Sequence, residues 1–232
     1  MNLDFLRVGP TDSGSAVAHS PMERPARDAG ARFEVRDGWN VAVEFPGAGG
    51  AGGSGARGSG SFESVSWADV SHLGKVELQG PSEAIDAAAG TELPFGTAVR
   101  RDDAWWCRLT QTRALVIGKG GASITGADGL DVLDVTCNFA AITLLGPLAR
   151  ETFARFCALD LRPRVTPINA LRPGSIGRQP GIVIREDEER YLFLFGWATG
   201  EYMWGVVADA GAHLGGRPVG ADALREVTAA HA

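Results

Sequence analysis

The chain has 232 residues, 44% hydrophobic and 22% charged, enough apolar material for a core and too much for a wholly disordered protein. Its 22 basic and 28 acidic residues give a formal charge of −6, which argues against nucleic acid or an anionic membrane as main partner but permits a local basic pocket. The sequence has no membrane-length apolar run, its N-terminus shows no basic start followed by an apolar stretch, and its three cysteines (Cys107, Cys137, Cys157) form no CxxC pair, so a cytoplasmic protein without a secretory signal, with buried reduced thiols and no metal site, is expected.

Residues 1–19 read as a polar, flexible tail. Glu23 to Arg32 has helical composition, with Pro25 in its first turn. Phe33 to Phe45 alternates apolar and polar positions around Asp37-Gly38, the signature of a hairpin. The Gly/Ser/Ala tract at 46–61 lacks the Lys-Ser or Lys-Thr closure of a phosphate loop and reads as a disordered surface loop. Lys75 to Gln79 alternates as a strand, and Gly80-Pro81 then leads into a helix over Glu83–Ala89 with Ser82 as its N-cap. Trp105 to Gly118 reads as two strands joined near Gln111-Thr112. Asp131 to Leu145 is strand-like, and Gly146-Pro147 precedes a helix over Leu148–Ala158.

A Pro/Arg-rich connection is expected from Pro163 to Pro180, followed by a hairpin of Gly181–Arg185 and Arg190–Phe195 around Glu186–Glu189. Tyr191, Phe193 and Phe195, two apart, should share one core face. Glu201 to Ala210 is an amphipathic helix, and GGRPVGADALREV a loop with a last helical turn or two. The strand–Gly-Pro–helix pattern thus occurs twice. It predicts an α+β fold with antiparallel sheets and two pseudo-symmetric halves, a single domain over 20–228 and a short tail at 229–232.

Several segments then carry a family likeness, in order: GARFEVRDGWNVAVEF, Asp69-Val70-Ser71-His72-Leu73-Gly74 with KVELQGP, Asp102-Asp103 with Arg108-Leu109, VTCNFAAITLLGPLARE, and GGRPVGADALREV. Together they resemble the folate-binding part of the glycine-cleavage T-protein (aminomethyltransferase) family. That resemblance implies a tetrahydrofolate-binding module in one-carbon (aminomethyl or methylene) transfer from a small amine such as glycine or sarcosine. Family members are longer and continue into a C-terminal β-barrel. Near Arg178, where the family carries a pterin-holding glutamate, GRQPGIVIR offers no matching carboxylate. In these departures the chain is similar to the gamma-type subunit of heterotetrameric sarcosine oxidase, a non-catalytic alternative that implies larger flavin-bearing partner chains. The glycine spacings within the tract at 46–61 have no helix expected behind them, so no dinucleotide-binding fingerprint is read and any flavin would be a partner's. Iron–sulfur repair factors of this fold usually carry a KGCYxGQE-like motif, which is not found around any cysteine here.

The resemblance places acid/base work on Asp102 or Asp103. On an extended segment neighbours point to opposite faces, so one carboxylate is expected in a hollow between the two halves and the other in solvent. It further implies Leu73 and Gly74 as walls of the pterin slot; on a strand one of the neighbours Trp105 and Trp106 faces out, as a stacking platform or an interface residue, and Arg178 and Arg225 are candidate contacts for the glutamyl carboxylates. His72 is either a general base or a hydrogen-bonded turn residue.

Overall fold

The computed structural model describes residues 16–47, 64–118 and 129–230. Residues 1–15 of the expected tail, 48–61 of the Gly-rich tract and the last two residues lie outside them. Alternating sequences make most of the fold. The Asp37-Gly38 hairpin joins β2 (Arg32–Arg36) to β3 (Trp39–Glu44), with both loop residues at positive φ. Ala18–His19, inside the expected tail, instead forms a short strand β1 because it pairs with the β3 edge in parallel.

The second sheet has the order β11-β12-β13-β10-β4-β14. Its strands are β4 (Ser66–Asp69), β10 (Phe139–Leu145), β11 (Leu171–Ile176), β12 (Gln179–Asp187), β13 (Arg190–Gly196) and β14 (Arg217–Pro218). The third sheet has the order β6-β7-β8-β5-β9. It contains β5 (Gly74–Gln79), β6 (Ala98–Arg101), β7 (Ala104–Thr110), β8 (Arg113–Gly118) and β9 (Asp131–Asp134). The expected single strand over 131–145 is broken by a 3-10 turn at Thr136–Asn138, which sends β9 and β10 into different sheets. The Pro/Arg-rich connection also contains a strand: β11 pairs with β12 through a Gly177-Arg178 turn. Pro173 is tolerated because β11 is at the sheet edge.

The helices are α1 (Glu23–Asp28), α2 (Ser82–Ala89), α3 (Ala149–Ala154), α4 (Gly200–Ala212) and α5 (Ala221–Ala230). Among the described residues none is long and apolar enough to cross a membrane. Ser82 is not the N-cap of α2. Extended Pro81 takes that place, and its carbonyl accepts the N–H groups of Ala84 and Ile85. At the other end Gly90 adopts the left-handed conformation, and the Arg101 guanidinium occupies the space a side chain there would need.

Strand parity separates the three largest core clusters. On β13, Tyr191, Phe193 and Phe195 face α1, α3 and α4, where Phe153, Met203 and Val207 are also fully buried. Leu192 and Leu194 point the other way and meet Trp105, Cys107, Leu115 and Ile117 of the five-stranded sheet. Beyond that sheet, Val76, Leu78, Trp106, Ala114 and Val116 pack on Ile85 and Ala89 of α2. The result is helices, sheet, sheet, helix, with apolar side chains filling the space between the two large sheets.

Candidate functional site

The segment Asp69 to Lys75 joins the two large sheets. β4 ends at Asp69, whose Oδ1 accepts the Ser71 N–H at 2.9 Å. Ser71 is fully buried, and its Oγ accepts the Ala141 N–H of β10 at 3.1 Å. The chain then enters β5, where Lys75 turns into the interior with no exposed surface. Its ammonium donates to the carbonyls of Ser71 at 2.7 Å and Leu73 at 2.9 Å, closing the turn from inside. Burial pushes the Lys75 pKa down to about 8, against the opposing pull of Asp69, Cys137 and Asp134. Burial likewise raises the half-buried Asp69 carboxyl, although hydrogen bonds from Ser20 and Ser71 favour its ionised form.

The alternation of β5 was legible, but its polar face is not in water. Glu77, 5% exposed, receives the Arg113 guanidinium through Nε at 2.9 Å and Nη2 at 2.6 Å, which holds its pKa below the usual range. Beside this pair lies a cavity of about 620 Å³ lined by Gln79, Gly80, Thr112, Arg113, Gly129, Leu130 and Asp131. Lys75, Asp69 and the Glu77–Arg113 pair escaped the sequence reading. The available signal was two charges inside a short Val/Leu strand.

The expected site residues do not converge. Asp102 and Asp103 are the two loop residues of the β6–β7 hairpin, at φ +48° and +60°. Their side chains are 87% and 89% exposed, beside Arg101 and Arg100 respectively. The expectation that one faces a hollow is therefore corrected: the backbone bends back here, so the opposite-face rule of an extended chain does not apply, and the left-handed region accommodates Asp. Trp105 and Trp106 do lie on opposite faces, but each face is covered and neither ring is a platform. Trp105 is 6% exposed and donates through Nε1 to Glu186 Oε1 at 2.7 Å. Leu73 packs against the core between the sheets, and Gly74 opens β5 half-buried.

Arg178 is exposed at the β11–β12 turn with φ +61°. Arg225 lies on α5, 4.0 Å from Asp222. His72 is half-buried in the β4–β5 turn. Cys107 and Cys157 are buried, whereas Cys137 is exposed on its 3-10 turn, a correction to the expected three buried thiols. A pterin needs an apolar slot, a facing carboxylate and a basic mouth. The candidate residues stand on the β6–β7 hairpin tip, in a filled interior, at the β11–β12 turn and on α5, and they do not together fit the group.

No protein-family model matches the sequence, and no curated protein matches it. Solved structures do. A chain of the heterotetrameric sarcosine oxidase from Corynebacterium sp. U-96, in complex with pyrrole 2-carboxylate, superposes with a TM-score of 0.61 at 20% identity. That match covers 84% of this chain and 95% of the other. The glycine cleavage system aminomethyltransferase T from Bartonella henselae gives 0.66 at 17% identity, covering 90% of this chain. The present chain spans about three-fifths (61%) of that protein. The α+β architecture with antiparallel sheets is thus the fold shared by aminomethyltransferase T and this sarcosine oxidase chain.

Proposed function

We propose that this chain is a T-protein-fold subunit of a multichain amine-oxidising flavoenzyme of the sarcosine-oxidase type, contributing structure and contacts rather than transfer chemistry of its own. The observation that carries the proposal is the match to a heterotetramer chain over 95% of that chain's length. The exposed turn position of Asp102 and Asp103 adds to it, because an acid/base needs hydrogen-bond reach to a held substrate. The two strand–Gly-Pro–helix units, β5 to α2 and β10 to α3, are then duplicated halves that serve as scaffold. The test is co-expression with candidate flavin-bearing chains, followed by oxidation of an N-methylated amino acid with and without this subunit. Loss of assembly and activity on its omission supports the reading; an intact, active complex without it refutes it.

The resemblance also implies the second reading, a tetrahydrofolate-binding module in one-carbon transfer. Its support is the Asp69–Gly74 sequence. A thermal-shift titration decides it, because ligand at 100-fold its dissociation constant adds about 2.7 kcal/mol of apparent stability.

A further inference from the structure

The cavity of about 620 Å³ beside the Glu77–Arg113 pair has no part in the subunit reading, and strand register shows what lines it. Gln79 of β5 pairs with Arg113 of β8 on one side and with Asp131 of β9 on the other. Directly paired residues share a face, so a guanidinium, an amide and a carboxylate stand in one row across the sheet. With strands about 4.8 Å apart, Arg113 and Asp131 leave the backbone about 10 Å from each other. Arg113 forms its ion pair with Glu77, and the Asp131 carboxylate has no partner among the described residues.

The walls are held from behind. Gly80 N–H donates to Thr112 O at 3.0 Å, tying the end of β5 to the β7–β8 turn. A Cβ on Gly80 would lie 2.6 Å from Leu130 Cδ2 and 2.7 Å from Gly129 O, so only glycine lets the entry to β9 close on this corner. The buried Glu77 carboxylate takes Nε and Nη2 of Arg113 and the Nε2 amide of Gln79. Both side chains are thereby oriented, and each keeps a free function: Arg113 can still donate through Nη1, and Gln79 can accept at Oε1.

Charge decides the ligand. Glu77 and Arg113 cancel, and Arg108, across the β7–β8 turn, is spent on Asp86. Among the described lining residues Asp131 is then the uncompensated charge, and Glu83 and Asp134, the next acids along α2 and β9, have the same sign. A simple anion is disfavoured here, whereas a cation with a hydrogen-bond acceptor at its other end meets every spare group. We propose that this hollow binds a small ammonium compound carrying a carbonyl or carboxylate oxygen, an amino acid or its amide. Asp131 pairs with the ammonium, Gln79 Oε1 accepts a second of its N–H groups, and Arg113 donates to the oxygen. The inference is independent of the subunit reading.

The experiment titrates the isotope-labelled full chain with glycine, glycinamide, N-acetylglycine and methylamine, following backbone amides by NMR. Glycine and glycinamide should give saturable shifts at Gly80, Thr112 and Asp131. N-acetylglycine lacks the ammonium and methylamine the acceptor, so each should bind at least about tenfold more weakly, the factor one charge-assisted hydrogen bond supplies. Asp131→Asn should weaken glycine and glycinamide by about the same factor. Asp102→Asn, at an exposed aspartate on the β6–β7 hairpin, should leave both unchanged. Arg113→Lys keeps a cation for Glu77 and should erase most of the preference for glycinamide over methylamine. Tighter binding of glycinamide than glycine assigns the site to amides, and the reverse assigns it to zwitterions; either supports the proposal. No saturable shift at these amides, N-acetylglycine binding as tightly as glycine, or an Asp131→Asn variant that binds like wild type overturns it.

Discussion

Lys75 offers a sharp test of how the junction between the sheets is held. Its ammonium is buried with two carbonyl acceptors, and burial lowers its pKa to about 8 from an ordinary 10.5. Between those values the unfolded chain binds a proton that the folded chain has released, so stability rises with pH through this window. At 1.36 kcal/mol per unit, the 2.5-unit interval corresponds to about 3 kcal/mol. Below about pH 8 both states are protonated and the burial cost is fully present. Above 10.5 both are neutral and it is gone. Other groups oppose the trend: burial raises the Cys107 thiol above its ordinary 9.0, so stability declines where the unfolded chain ionises that thiol, and Cys157 and Tyr191 act in the same sense.

The informative quantity is therefore a difference between wild type and Lys75→Met. The Met variant relieves the buried charge but strips the Ser71 and Leu73 carbonyls of a donor, at about 1–3 kcal/mol each, so its stability at pH 7.5 is close to wild type. Urea unfolding followed by tryptophan fluorescence at pH 7.5, 8.5, 9.5 and 10.5 should show wild type gaining about 3 kcal/mol relative to the variant across the series. Parallel curves for the two proteins over that range would refute a charged, buried Lys75.

Three further outcomes follow from individual contacts. Arg108 has a side chain only 2% exposed and donates to Asp86 Oδ1 at 2.5 Å; Arg108→Met should cost about 3 kcal/mol in chemical denaturation, and adding Asp86→Ala should recover part of that loss. Asp103→Gly relaxes a left-handed turn residue and should stabilise by about 0.5–1 kcal/mol, read as a higher unfolding midpoint. Phe153→Ala removes a fully buried ring that contacts Phe156, Tyr191 and Phe193 and should cost about 3–5 kcal/mol, whereas Phe95→Ala, at an exposed position, should change stability by less than about 0.5 kcal/mol.

Local pattern made much of the fold legible. Period-2 alternation and the Asp37-Gly38 signal found the first hairpin, and Tyr191, Phe193 and Phe195 share one core face as their spacing requires. Alternation reports which residues share a face, not what that face meets. Lys75 and Glu77 share the polar face of β5, and that face is buried, with Arg113 paired to Glu77. Trp106 reads as a candidate platform until α2 packs over its strand. β11 was hidden by Pro173 and Gly174, which disfavour a central strand but suit an edge. Asp102-Asp103 misleads because an Asp pair in a two-residue turn resembles, in sequence, a pair at a strand's end.

The residues carrying the likeness to aminomethyltransferases are largely those that make joints. Asp69 and Ser71 fasten the crossing from β4 to β5, and the Lys75 that follows closes it. Gly80-Pro81 and Gly146-Pro147 turn strands into helices, and Asp102-Asp103 turns β6 into β7. Arg108, read with the aspartates as part of a transferase segment, ties β7 to Asp86 of α2. A chain can keep every one of these joints while filling the space between its sheets with Trp105, Leu115 and Leu194. The likeness thus speaks first to architecture, because joints are fixed by the fold's own geometry whereas a binding slot is fixed by what must enter it.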